Sequence, residues 1–239
     1  MSDRVPDDIA GEQIDYYRAR APEYDDWWLR RGRYDRGEGA NRRWFDEIAA
    51  ARRALESFAP SGRVLELACG TGLWTEVLHL FAESMTAVDA SREMIGLCRD
   101  RLGGARVRSV RFVRADLFSW EPDEEFDFLF LGFWLSHVPD DRFGAFWRRL
   151  AGRAAPGARV FFVDSLPTPL STAVDHDLGD PENPIRGRRL DDGREYRIVK
   201  IFHDPATLEG RLSDLGWNVK VRTTGEFFLY GAGEWSGAG

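Results

Sequence analysis

The 239-residue chain has two cysteines, Cys69 and Cys98, too few for a disulfide framework or a cysteine-built metal cluster. Lysine is as scarce: Lys200 and Lys220 are the only two. Acidic residues outnumber basic ones by 40 to 33, the net charge is −7, and no basic block occurs. Nucleic-acid binding by phosphate neutralisation leaves a basic patch, so no nucleic-acid partner is expected. The longest apolar run, residues 128–135, is far too short to cross a bilayer, and the opening "MSDRVPDD" lacks the apolar core of a secretory leader. These absences set aside a membrane protein and a metalloprotein. They leave a cytoplasmic enzyme or binding protein whose partner is a small molecule.

Apolar residues make up 43% and charged residues 31%, enough for a sizeable core in one large domain with a cap. Residues 1–60 read as helical, with a turn at Gly32, Gly37 and Gly39. Within 41–58, apolar Trp44, Phe45, Ile48, Ala51 and Leu55 recur at helical spacing. Pro60-Ser61-Gly62 breaks the pattern, and strands and helices then alternate. Strands are expected at 63–67, 85–88, 107–114, 126–132 and 158–164, with helices near 73–81, 92–102 and 142–154. Continuously apolar strands such as "FDFLFLGF" imply burial on both faces, hence a mostly parallel, doubly wound α/β sheet. The last quarter differs. Asp192-Gly193 lies between strand-like runs and marks a hairpin, a helix runs from Asp204-Pro205 to Gly216, and strands 218–223 and 226–230 meet at Gly225. An antiparallel end to the sheet follows, giving seven strands in all, with an insertion or lid at about 165–197.

Ligands of open α/β sheets bind beyond the carboxyl ends of the strands. In "VLELACGTGLWT" the first strand ends at Glu66, before Cys69-Gly70-Thr71-Gly72. The second ends at Asp89, the third at Asp116 followed by Leu117, and the fourth runs into Phe133-Trp134-Leu135-Ser136-His137. An acid at the second strand suits a ribose hydroxyl pair, and Asp116 beside apolar side chains suits adenine. The turn Gly70-Thr71-Gly72-Leu73-Trp74-Thr75 lacks the third glycine of a dinucleotide fingerprint. Glu66 beneath it would repel a pyrophosphate and attract an ammonium group. Adenosine joined to a cationic amino acid fits better, which points to S-adenosylmethionine.

With "VLELACGTG", "AVDAS", "RADLFSW", "FDFLFLGFWLSHVP" and "APGARVFFVD" in this order, the chain resembles a class I S-adenosylmethionine-dependent methyltransferase of the small-molecule type. The resemblance covers residues 60–232. It implies a Rossmann-like core over 61–239 under a helical cap over 1–60. The activity it implies is methyl transfer to an oxygen or nitrogen of a small acceptor, aromatic ones included. It places Gly70, Thr71 and Gly72 against the methionine part, Glu66 near its amino group, Asp89 on the ribose, and Ala90, Met94, Asp116 and Leu117 around adenine. Ala68 stands where the family turn has its first glycine, and Trp74 follows that turn. Phe133 and Trp134 fall beside the sulfonium, on the acceptor's path. Tyr17, Ala21, Tyr24 and Asp25 match a family stretch that folds over the cofactor, which makes Tyr16, Tyr17, Arg20, Tyr24 and Trp28 lid candidates. Tyr24 is assigned to the cofactor; Tyr17, Trp28, Trp134 and His203 are assigned to the acceptor.

Each assignment has a plainer counterpart. The glycines also suit a tight strand–helix turn, Asp89 a helix cap that Ser91 fills equally well, and Cys69 a small buried residue. The aromatic N-terminal stretch also suits an amphipathic helix. His137, at the mouth of the site, is the candidate general base; its counterpart is a packed histidine. His79 and His176 receive no role. A nicotinamide-dependent oxidoreductase and a non-catalytic S-adenosylmethionine-binding protein remain as alternatives.

Overall fold

The first strand, β1 (Arg63–Leu67), pairs in parallel with β2 (Ser84–Asp89) on one side and β4 (Phe126–Gly132) on the other. In the computed structural model, which describes residues 5–104, 106–176, 178–180 and 182–237, β3 (Val110–Arg114) continues the sheet beyond β2. On the other side β5 (Ala154–Ser165) lies next to β4. Strand β9 (Phe228–Trp235) runs antiparallel to both β5 and β8 (Trp217–Thr223), so the order is β3-β2-β1-β4-β5-β9-β8. This is the expected doubly wound sheet with its antiparallel end. The order reverses at β1 and β4, so the crevice between helices opens at their carboxyl ends.

Alternation along each strand fills two cores. Val64, Phe128 and Phe130 face one side; Leu65, Leu67, Leu129 and Leu131 face the other. On the first side pack α3 (Glu38–Phe58) and α5 (Arg92–Leu102), with Trp44, Leu55 and Cys98 fully buried. On the second pack α6 (Asp140–Ala151) and α7 (Pro205–Ser213), centred on Trp147 and Trp217. Among the described residues no helix is long and apolar enough to cross a membrane.

Helices α1 (Asp7–Arg20) and α2 (Tyr24–Trp28) lie in the N-terminal stretch expected as the cap, of which α3 instead packs on the sheet. A separate hairpin, β6 (Ile185–Arg189) and β7 (Glu195–Val199), gives α1 its support. Tyr16 packs on Leu190 and Ile198, Ile9 packs on Val199, and the Val199 amide donates to Gln13 Oε1 (3.0 Å).

Several expected boundaries shift. The helix near 73–81 is a single turn, α4 (Thr75–Leu78), because the Leu80 and Phe81 amides beyond it bond three residues back rather than four. Strand β3 starts at Val110, since Arg106–Ser109 winds as a 3₁₀ turn. Gly39 lies inside α3, not in the preceding turn. Strand β5 begins four residues early, with an irregular register between Phe126 and Phe128, so α6 ends at Ala151. The closing corner is broader than one glycine. Buried Glu47 of α3 accepts from Thr224 Oγ1 (2.6 Å) and from the Glu226 and Phe227 amides (2.8 and 2.9 Å), holding 224–227 as a loop. The expected insertion at 165–197 contains residues 177 and 181, which lie outside the described residues; the rest comprises the connection from β5 and most of the hairpin itself.

Candidate active site

Beyond β1 the backbone turns through left-handed conformations at Ala68 (φ 55°), Gly70 (φ 53°) and Gly72 (φ 88°). Ala68 bears a side chain there at a cost of roughly 1 kcal/mol. The two glycines serve different ends. A Cβ on Gly72 would lie 2.7 Å from Cys98 Sγ, so that glycine lets α5 close on the turn. A Cβ on Gly70 would meet nothing within 4 Å, because Gly70 borders a cavity.

That first chamber, about 700 Å³ including its mouth, is of ligand size. Asp89 enters it from the end of β2. Its Oδ2 accepts from the Gly70 amide (2.9 Å) and its Oδ1 from the Ser91 amide (2.8 Å). Burial nevertheless pushes its carboxyl up to about 6, against the lowering by those amides. Ser91 caps α5 by accepting from the Met94 amide (3.2 Å), which leaves Asp89 free for the chamber. Asp116 turns the chain after β3, accepting from the Phe118 amide (3.0 Å), and brings Leu117 and Phe118 to the wall. Tyr24, Ala68, Gly70, Ala90, Met94 and Phe133 complete the expected residues that line it.

Four expected residues do not line the chamber. Glu66 is buried under the turn, accepts from Thr75 Oγ1 (2.6 Å), and has its pKa driven well up by burial. Gly72 is spent on packing. Trp74 lies in the core against Phe130 and Trp28. Thr71 instead clips the cap down: its hydroxyl donates to Asp25 Oδ1 (2.6 Å), while Arg101 bridges Asp25 Oδ2 and the Thr71 carbonyl. Two acceptor-side expectations also give way. Trp28 packs among Trp27, Trp74 and Phe133, and His203 is buried against Phe143 with Nε2 3.3 Å from the Leu135 carbonyl. Trp134 lines the first chamber beside Phe118.

A second chamber of about 630 Å³ adjoins the first, and Tyr17, Tyr24, Phe133 and His137 line both. Phe133 holds a left-handed conformation (φ 55°), strain of the kind concentrated at functional positions. His137 Nδ1 lies 2.6 Å from the Val199 carbonyl, which makes Nδ1 the protonated nitrogen. Nε2 is then an acceptor, 2.8 Å from the Tyr17 hydroxyl. Burial, reinforced by the Lys200 charge, holds the ring's pKa down to about 3. Burial likewise keeps the Tyr17 phenol protonated, so it donates. The ring is thus held far from protonation, with its Nε2 lone pair engaged by the Tyr17 hydroxyl.

The far wall of the second chamber carries Arg20, His176, Arg188 and Lys200. No sequence motif flagged the last three, because the cap, the 165–180 segment and the hairpin each contribute singly.

Comparison with known proteins bears on this geometry. A methyltransferase-domain family model matches residues 64–173. The solved complex of DhpI with S-adenosylhomocysteine superposes with a TM-score of 0.78 at 38% identity, covering 96% of this chain and 98% of that one. The chain belongs to the class I S-adenosylmethionine-dependent methyltransferases. A DhpI complex with S-adenosylmethionine and HEP agrees, with a TM-score of 0.79 at 38% identity over 96% and 99% of the two chains. Among curated relatives, a Rhizobium etli trans-aconitate 2-methyltransferase is 32% identical over 116 residues, 47% of this chain and 43% of that one. A Sinorhizobium medicae ubiquinone biosynthesis O-methyltransferase is 26% identical over 99% and 93% of the chains. Against the Rhizobium relative the chain spans under half that protein's length. For this methyltransferase the nicotinamide alternative is not favoured, in keeping with a glycine turn that has a buried acid beneath it.

Proposed function

We propose that this methyltransferase binds S-adenosylmethionine in the first chamber and a small-molecule acceptor in the second, with the methyl passing at their common wall. The observation that carries the reading is that wall: Tyr17, Tyr24, Phe133 and His137 face both chambers. The cofactor's fit is supported by the open space at Gly70 and by the Asp89 carboxyl, which keeps acceptor capacity beyond its two amide partners. Asp89 would take the ribose hydroxyls, Asp116 and Leu117 the adenine edge, and Ala90 and Met94 its faces. Gly70 and Ala68 would border the methionine.

When bound, the cofactor supplies a methyl group on a sulfonium sulfur, a leaving group already activated. The chain must then position the acceptor and exclude water. Positioning alone can supply about 7–11 kcal/mol, whereas a general base adds about 10²–10⁴-fold. Positioning is the greater of the two, and the site is built for it. Tyr17, fixed by His137, would orient the acceptor at the wall, and α1 and α2, clipped by Asp25, would act as the lid.

Calorimetry with S-adenosylhomocysteine and with NAD tests the reading. Binding of the first with no heat from the second is expected; the reverse would refute it.

A further inference from the structure

The second chamber holds positive charge that methyl transfer as such does not require. We infer that it is the headgroup site of an anionic acceptor, a small molecule bearing carboxylate, phosphate or phosphonate oxygens. This rests on the two-chamber reading and names its substrate class.

Arg20 is central. It is 8% exposed, ringed by Tyr16, Tyr24 and Tyr34 at 5.6, 4.9 and 5.7 Å from their centroids, and donates one hydrogen bond, to the Tyr34 hydroxyl (3.2 Å). Its buried Nε has no partner. Among the described residues no carboxylate meets it. Arg188, on β6, donates among the described residues only to the Gly187 carbonyl (2.9 Å). Lys200 donates to Ser136 Oγ (2.8 Å) and stands 3.4 Å from Asp164, whose carboxylate also takes the Ser136 and Ser165 amides. Among the described residues, three cations thus face one space with one carboxylate behind them.

Acids are not in short supply elsewhere. Arg33 reaches Asp175 and Asp191, Arg101 reaches Asp25, and Arg197 reaches Asp8 and Glu12. Leaving a buried cation unpaired is costly unless a ligand completes it. A guanidinium presents paired donors that match the oxygens of a carboxylate or phosphoryl group. A cationic acceptor would be repelled, and a neutral aromatic one would leave Arg20 uncompensated. The shared Tyr17–His137 wall sets such an anion beside the first chamber.

The test uses the full chain saturated with S-adenosylhomocysteine. Inorganic phosphate, methylphosphonate and citrate are titrated in, with glycerol as the neutral control, and binding is read by calorimetry and by thermal shift. At least one anion should bind, more weakly as sodium chloride is added. Arg188→Gln should weaken it about tenfold or more, as expected for a lost charge-assisted bond, with Arg188→Lys recovering part. S-adenosylhomocysteine affinity should stay within about twofold. Arg188 is half-buried on a hairpin, so it serves if the more buried Arg20→Gln fails to fold. Citrate against the phosphorus anions separates carboxylate from phosphoryl recognition. Anions binding no better than glycerol, or an Arg188→Gln variant binding them like the parent, would overturn the inference. Loss of S-adenosylhomocysteine binding in the parent would instead sink the methyltransferase reading.

Discussion

The first chamber draws Gly70, Asp89, Asp116 and Phe133 from the ends of four strands within about 65 residues of chain, whereas the second joins Arg20 of α1 to Ser171, Arg188 and Lys200 across more than 150 residues. The first presents backbone and two carboxylates on rigid strand ends. The second presents cations and phenols on the cap and hairpin, which lean on each other through Tyr16, Leu190 and Ile198. A binding surface on such peripheral elements can change its charge without disturbing the sheet. On the proposed reading, the contrast puts the shared cofactor chemistry on one side of the Tyr17–His137 wall and acceptor specificity on the other.

Breaking the first chamber alone should have the largest effect. Asp89→Ala removes a carboxylate that we assign to two ribose hydroxyls, each such charge-assisted bond being worth about 1.5–3 kcal/mol. S-adenosylhomocysteine affinity should fall by about 100-fold or more by calorimetry. Unchanged affinity would detach Asp89 from the cofactor. A cut at the wall should split binding from turnover: His137→Ala, which frees Tyr17, should lower kcat by about tenfold or more with cofactor affinity held within about threefold. Rescue of kcat by His137→Gln, which restores an acceptor for Tyr17, would mark positioning; a lasting loss in His137→Gln, with a pH dependence of kcat in the parent that the variant lacks, would restore the base.

Loosening the lid should act on both chambers. Asp25→Asn weakens the contacts to Arg101 and Thr71, so cofactor affinity should drop by several-fold, about 1 kcal/mol. An unaltered affinity would show that α2 does not close the site. The charge on Asp89 also predicts a pH dependence confined to the first chamber. Its carboxyl, pushed up to about 6 by burial, is fully charged only above that pH. Cofactor affinity should therefore be full above pH 6 and fall as the pH drops through it, a slope that Asp89→Asn should abolish. The smallest effect is backbone alone. Ala68→Gly relieves a left-handed alanine and should raise stability by under about 1 kcal/mol, since glycine's greater unfolded-state freedom offsets part of the relief.

The strand ends were legible because apolar runs mark the strands and topology brings their last residues together, so Gly70, Asp89, Asp116 and Phe133 could be named from the sequence. Ser91 was legible as the α5 cap for an equally local reason. Glu66 and Gly72 lie beneath or behind the chamber wall, which was not legible because the sequence says where a strand stops, not whether the next side chain points to a cavity or to the core. The same ambiguity covers Trp28 and His203. The 73–81 helix was overread because its apolar spacing also suits the tighter turns that flank α4. The second chamber was nearly silent: Arg20 stood out as part of an aromatic stretch, but nothing in "RGRRL" or "IVKIF" marks Arg188 and Lys200 as neighbours of it.

The division into two chambers is decided by a crystal structure with S-adenosylhomocysteine bound. The ribose hydroxyls should sit on the Asp89 carboxylate, adenine between Ala90 and Met94, and the sulfur at the Tyr17–Phe133 wall, with the cationic chamber left open beyond it. Homocysteine extending into the space among Arg20, Arg188 and Lys200, or no ligand seated beside Gly70 and Asp89, would contradict it.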